Sequence, residues 1–387
     1  MTEKAVKPEI RFAGFNDAWE QRKLGELGTI TTGSTPSTSI PDYYSDDGIV
    51  WVTPTDICEN ITFESARKLS DLGQQVGRVV PKNTILVTCI ASIGKNTMLG
   101  NTGSFNQQIN GLTPNENECD PYFLLTESAL WSAKMKSSAS AGTMQIVNRT
   151  EFSELKTWLP SLIEQQAISD FFRQLDNLIT LHQRKYDKLT KVKKSMLEKM
   201  FPKNGANVPE IRFKGFSDAW EQRKLGDICM EMLAGGDIDK EKIVGQGKYP
   251  VIANALTNDG IVGFYEHDYR VKSPAVTITG RGDVGHAKAR KVDFTPVVRL
   301  LAIRTNHDVD FIENAINTLK VTVESTGVPQ LTVPQLEKLE LFIPPTIAEE
   351  QIIGAYLRQL DNLITLHQRE LEKLKNIKKA CLEKMFV

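Results

Sequence analysis

Arg173-Gln174-Leu175-Asp176-Asn177-Leu178-Ile179-Thr180-Leu181-His182-Gln183-Arg184 stands a second time, unchanged, as Arg358 through Arg369. The stretch belongs to a longer pattern. Leu175, Ile179, His182, Tyr186, Leu189, Lys193, Met196 and Met200 alternate spacings of four and three, and Leu360, Ile364, His367, Leu371, Leu374, Lys378, Cys381 and Met385 do the same. A repeat of about 3.5 residues is the seam of a coiled coil. Pro160 and Pro345 stand upstream, where a helix can begin but not extend backwards, and Phe201-Pro202-Lys203-Asn204-Gly205 ends the first copy. A lone helix this long would leave its seam in water. Two spacer helices, predicted over 160–201 and 345–387, cover it most simply by packing antiparallel.

Working outward, a second duplication appears. Glu9-Ile10-Arg11-Phe12 through Leu24-Gly25 recurs as Glu210-Ile211-Arg212-Phe213 through Leu225-Gly226, with Asp17-Ala18-Trp19-Glu20-Gln21-Arg22-Lys23 matched by Asp218 through Lys224. The head offset is 201 and the tail offset 185, so the intervening segments differ in length as well as sequence. The end of each middle is still recognisable at the tail offset, where Ser140-Ala141-Gly142-Thr143-Met144-Gln145 matches Ser325-Thr326-Gly327-Val328-Pro329-Gln330. Each half is therefore a common head (9–27 and 210–228), a private middle and a common helical tail. The expected layout is an α+β chain. A first globular domain spans 1–159, a linker 202–209 and a second domain 210–344, with the two spacer helices between and after them. Ile49-Val50-Trp51-Val52, Thr84 through Thr88, Ala275 through Thr279 and Val297 through Leu301 read as short strands in the middles.

The 387 residues suit two domains, and no apolar run is long enough to span a bilayer. Met1-Thr2-Glu3-Lys4 runs on into polar sequence without a signal-peptide core, and the five scattered cysteines suggest neither disulfides nor zinc. A cytoplasmic protein is expected. The net charge of −1 hides a split: residues 28–158 are acidic on balance, whereas His182 to Met200 carries Arg184, Lys185, Lys188, Lys191, Lys193, Lys194 and Lys199 against Asp187 and Glu198. Nucleic-acid binding would rest on local patches, although basic runs on helices are usually solvated faces.

Catalytic signatures fail on inspection. Gly280-Arg281-Gly282-Asp283-Val284-Gly285 has dinucleotide-loop spacing, but His286-Ala287-Lys288-Ala289-Arg290-Lys291 offers no apolar helical face to follow it. Gly94-Lys95-Asn96 lacks the rest of a phosphate loop. Asp120-Pro121-Tyr122-Phe123 is one proline short of an adenine-methyltransferase signature and is better explained as the start of a helix. His182 and His367 read as a polar layer in the seam. Base edges are read by Arg, Lys, Asn, Gln, Ser and Thr. The first middle offers Ser34, Thr35, Lys95, Asn96, Gln107 and Gln108, with Asn106 beside them, and the second offers Asn254, Arg281, Lys288, Arg290 and Lys291. Ordinary polar loops hold such clusters too.

The whole pattern resembles the specificity subunit of Type I restriction-modification systems. Pro41-Asp42-Tyr43-Tyr44 with Gly48-Ile49-Val50-Trp51-Val52-Thr53-Pro54-Thr55-Asp56-Ile57 is typical of that family. So are Thr143-Met144-Gln145 leading into Leu159-Pro160-Ser161-Leu162-Ile163-Glu164-Gln165-Gln166, and Phe342-Ile343-Pro344-Pro345 leading into Glu349-Glu350-Gln351. The resemblance implies a non-catalytic reader of double-stranded DNA. Each middle would read half of a bipartite site, and the paired helices would set the spacer and dock two modification subunits. Two restriction subunits would complete the assembly, with S-adenosylmethionine, ATP and Mg belonging to the partners and no cofactor to this chain. Dissimilar middles imply an asymmetric site. Two alternatives stay open: the reader of a methylation-only complex, and a coiled-coil adaptor that binds no DNA.

Overall fold

The structure, a computed structural model, describes residues 7–90, 92–139, 146–203, 205–319, 321 and 329–387; the matched ends of the middles, Ser140–Gln145 and Ser325–Val328, lie outside them. The helices that organise the fold are α1 (Pro121–Ala139), α2 (Leu162–Lys199), α3 (Val309–Thr318) and α4 (Ile347–Met385). The chain forms two compact units, Met1–Leu181 with Glu370–Val387, and His182–Arg369. Each unit thus owns one end of each long helix.

The first unit is built on a sheet in the order Gly28–Thr32, Ile109–Pro114, Ile85–Thr88, Asn96–Leu99 and Ile61–Thr62, antiparallel except for the last pairing. The second has a sheet in the order Cys229–Ala234, Leu300–Thr305, Ala275–Thr279 and Ala287–Arg290, antiparallel throughout. Beside each lies a three-stranded sheet containing one parallel pair: Tyr44–Val52 with Gly103–Phe105, and Tyr249–Ile252 with Thr295–Pro296. The middles, nearly unrelated in sequence, therefore share one topology apart from the added edge strand Ile61–Thr62 of the first. Each core accepts any apolar residues that fill it, so pattern survives where identity does not. Trp19, Ile85, Phe123, Trp131 and Phe172 are buried in the first core, and Trp220, Ile278, Ile303, Phe311 and Leu357 in the second.

The heads and tails form one frame in each unit. Glu20–Lys23 pairs antiparallel with Lys156–Leu159, the strand just before α2, and Glu221–Lys224 pairs likewise with Glu340–Ile343, the strand just before α4. Arg11 grips Glu164 with two bonds of 2.6 and 2.7 Å, and Arg212 grips Glu349 at 2.6 and 2.8 Å. The residue after each glutamate ties the long helix to its neighbour. Gln165 accepts from the Asp120 amide at 2.9 Å, and Glu350 accepts from the Asp308 amide at 2.9 Å. Asp120 and Asp308 in turn cap α1 and α3 by accepting from Phe123 and Phe311. Pro121 opens α1 at the first helical position, which is the bland reading of Asp120-Pro121-Tyr122-Phe123. The head-to-tail contact closes with Ile10 N–H on Lys384 O in the first unit and Ile211 N–H on Lys199 O in the second, both 2.9 Å.

The long helices pack antiparallel within each unit. In the first, Phe172 meets Phe386 with rings 5.7 Å apart, and Asp176 bonds Lys378 at 2.5 Å. In the second, His182 meets His367 with Nδ1 atoms 3.2 Å apart, and Lys193 bonds Asp361 at 2.5 Å. Leu175, Leu360 and Leu371 are buried, and Ile179, Tyr186, Leu189, Met196, Ile364, Leu374 and Cys381 are half-buried. Leu178, Leu181, Leu363 and Leu366 point outward, with 43–52% of their surface exposed.

Candidate nucleic-acid interface

In each unit four loops gather at one end of the main sheet, held by the same backbone bonds. In the first, Gly33 N–H donates to Ile109 O, Asn106 N–H to Val52 O and Cys89 N–H to Gln108 O, at 3.0, 3.0 and 2.7 Å. In the second, Gly235 donates to Leu300 O, Val297 to Ile252 O and Gly280 to Arg299 O, at 2.7, 2.8 and 3.0 Å. The hairpin turns also match. Thr88 Oγ1 donates to Ser92 O and accepts from the Lys95 amide, while Thr279 Oγ1 donates to Asp283 O and accepts from the His286 amide. Gly94 and Gly285 sit at φ +84° and +85°, the left-handed geometry this turn requires. The dinucleotide-like glycine run is thus a hairpin turn. Strand Ala287–Arg290 follows it, where a nucleotide fold would need a helix.

These bonds bring the first-unit candidates together. Thr35 Oγ1 bonds Gln107 Oε1, Ser34 Oγ accepts from the Arg78 amide at 3.0 Å, and Ser34 O accepts from Trp51 Nε1 at 3.0 Å. Lys95 Nζ reaches Pro54 O at 3.0 Å, and Gln108 is held by Asn106 Nδ2 at 3.1 Å. The segment from Trp51 to Asp56, singled out by resemblance, therefore supports two of the loops. Asn96 lies apart, its amide bonded to Ser128 and Ser132 on α1.

The second-unit candidates are less united. Asn254 staples two loops by donating to Arg281 O and accepting from the Gly280 amide. Arg290 is directed inward to Thr277 Oγ1 and Asp259 O, at 2.9 Å each, and burial pulls its pKa down. Lys291 bonds Asp310 at 2.6 Å, a carboxylate that also takes Arg358 at 2.7 Å, and Lys288 faces Glu313 at 3.9 Å. The Arg281 side chain makes no hydrogen bond or ion pair among the described residues. Neither does that of Arg299, an exposed residue held at φ +78°. Sequence reading missed Arg299, because a positive φ at a non-glycine residue has no local sequence signal.

The arrangement is thus one scaffold presented twice, with a different polar set on each copy. Residues 16–191 and 217–376 both match the family described as the Type I restriction modification DNA specificity domain. The chain belongs to that family. Its two specificity domains include the loop clusters and most of both long helices. Relatives align over nearly the whole length. The specificity subunit of type I restriction enzyme MjaIX from Methanocaldococcus jannaschii is 25% identical, covering 95% of this chain and 92% of that one. That of EcoprrI from Escherichia coli is 23% identical, over 92% and 90%. Among solved structures, the S subunit of a Type I system from M. genitalium superposes with a TM-score of 0.72 at 15% identity, covering 99% of each chain, which establishes the fold of the paired specificity domains. No helix among the described residues is long and apolar enough to cross a membrane.

Proposed function

We propose that the chain is the double-stranded-DNA-reading subunit of a Type I restriction-modification complex and has no catalytic step of its own. Each unit reads one half of an asymmetric, split site through its loop cluster, and the paired helices set the unspecified spacer. The observation that carries this reading is the duplicated loop scaffold with non-identical side chains. A fixed backbone with variable Gln, Thr, Arg and Lys is what direct readout of differing base edges requires.

The outward leucines support the docking of two copies of one partner. Leu178 and Leu181 repeat as Leu363 and Leu366, exposed in both units although the seam does not need them. Those partners are two modification subunits, joined by two restriction subunits in the full assembly. S-adenosylmethionine, ATP and Mg belong to them, and the complex acts in the cytoplasm.

The test is single-molecule methylation sequencing of a host genome expressing the modification subunit with and without this chain. Adenine methylation at one asymmetric split motif, present only with the chain, supports the reading. An unchanged methylome refutes it and favours a protein adaptor. A native genome that encodes a modification subunit beside this chain and no restriction subunit would assign the chain to a methylation-only complex.

A further inference from the structure

The matched backbone bonds align the two loop clusters residue by residue, which sequence comparison of the middles does not. Ile109 corresponds to Leu300, Val52 to Ile252 and Cys89 to Gly280, because each pair makes the same bond in its own unit. The carbonyl that receives the Cys89 amide is that of Gln108, and the carbonyl that receives the Gly280 amide is that of Arg299. Gln108 and Arg299 therefore occupy one position of the scaffold, at the turn leading into the second strand in the order of each main sheet.

Arg299 stands apart from the candidate cations of the second unit, of which Arg281 also lacks a partner among the described residues but is half-buried and has no positive φ. Arg290, Lys288 and Lys291 face the carbonyl or carboxylate groups of their own unit. The Arg299 guanidinium is exposed and has no partner among the described residues, so its five donors remain available. Its backbone stands at φ +78°, where a glycine is unstrained and an arginine is not. Folding does not call for an arginine at such a position.

We propose that Arg299 is a specificity-determining residue that reads a guanine in the half-site of the second unit, and that Gln108 holds the corresponding place in the first unit and reads an adenine. Arginine meets guanine O6 and N7 with two parallel donors. Glutamine meets adenine N7 and N6 with one donor and one acceptor. Gln108 keeps its Nε2 donor free while Oε1 accepts from Asn106, which orients the amide. The inference rests on the DNA-reading function proposed above.

The experiment compares adenine methylomes written by the modification subunit with the wild-type chain, Arg299→Gly and Gln108→Ala. Arg299→Gly removes the guanidinium and relieves the positive φ, so the variant should melt at the wild-type temperature or above. The expected result is a split motif in which Arg299→Gly loses about 10- to 100-fold discrimination at one G·C pair of one half. Gln108→Ala relaxes one A·T pair of the other half, and the spacer stays unchanged. A wild-type motif that Arg299→Gly leaves intact overturns the assignment. So does relaxation of both variants in the same half. A wild-type chain that writes no split motif removes the DNA-reading function itself, and this inference with it.

Discussion

Replacing Arg11 with Leu removes the only cation bonded to Glu164 among the described residues, a carboxylate 1% exposed to solvent. The guanidinium is 13% exposed and bonds both carboxylate oxygens, at 2.6 and 2.7 Å. A buried charge left unpaired typically costs about 3–5 kcal/mol, more than the intact pair contributes over an apolar substitute. Two limits follow. Arg11→Leu alone should destabilise the first unit by about 3–5 kcal/mol, whereas Arg11→Leu with Glu164→Leu should return to within about 1–2 kcal/mol of wild type. The pair is not perfectly satisfied, because Arg11 Nη1 is buried without an acceptor. The same orphan recurs at Arg212 Nη1. Arg212→Leu should therefore repeat the result in the second unit, where Glu349 is likewise 1% exposed. Urea unfolding followed by tryptophan fluorescence gives the magnitudes, and hydrogen exchange of residues 7–24 and 208–225 shows which unit opens. A single Arg11→Leu loss below about 1 kcal/mol, or a double variant no better than the single, would refute the view that these pairs lock head to tail.

Three further outcomes can be checked. Burial raises the Glu127 carboxyl to about 7, against weaker lowering by Thr157 and the Trp158 amide. Its folded pKa lies above the unfolded value, so this contribution to stability is complete below about pH 4.3 and is lost as pH rises through about 7. Glu127→Gln should remove that slope, gaining on the order of 3 kcal/mol on wild type between acid and pH 8; parallel denaturation curves at both pH values would contradict this. Burial, then His182, then Lys185, hold His367 below its ordinary pKa. Its contribution is therefore present at neutral pH and lost as pH falls through the ordinary histidine range. The double variant His182→Leu/His367→Leu should show a flatter melting temperature between about pH 7.5 and 5.5, measured by calorimetry. Finally, Leu178→Ser with Leu181→Ser should leave stability within about 0.5 kcal/mol and reduce bound modification subunits from two to one by native mass spectrometry; unchanged stoichiometry would place docking elsewhere.

The long helices and the duplicated frame were legible because their signals are local or literal. A seam repeating along one helix declares which face is buried, and Leu175, Leu360 and Leu371 lie on that face. Exact repetition of Arg11 and Glu164 as Arg212 and Glu349 marked residues with one task performed twice, but only tertiary structure shows that they bond each other. The same holds for Gln165 and Glu350, chosen as family markers, which tie the long helices to the capped starts of α1 and α3.

Sequence alone determined the two-part organisation, the helical seam and the kinds of polar residue available for reading bases. The antiparallel pairing of the long helices came from the structure. Tertiary structure decided that the diverged middles share one topology but for an edge strand and that Gln108 and Arg299 share a position. It also decided that Asn96, Asn254, Arg290 and Lys291 bond within their own units. The division has a physical cause. Helical periodicity and repeats are written in neighbouring residues. A side chain's freedom to meet a ligand depends on hydrogen-bond partners far along the chain, brought within about 3 Å only by the folded tertiary structure.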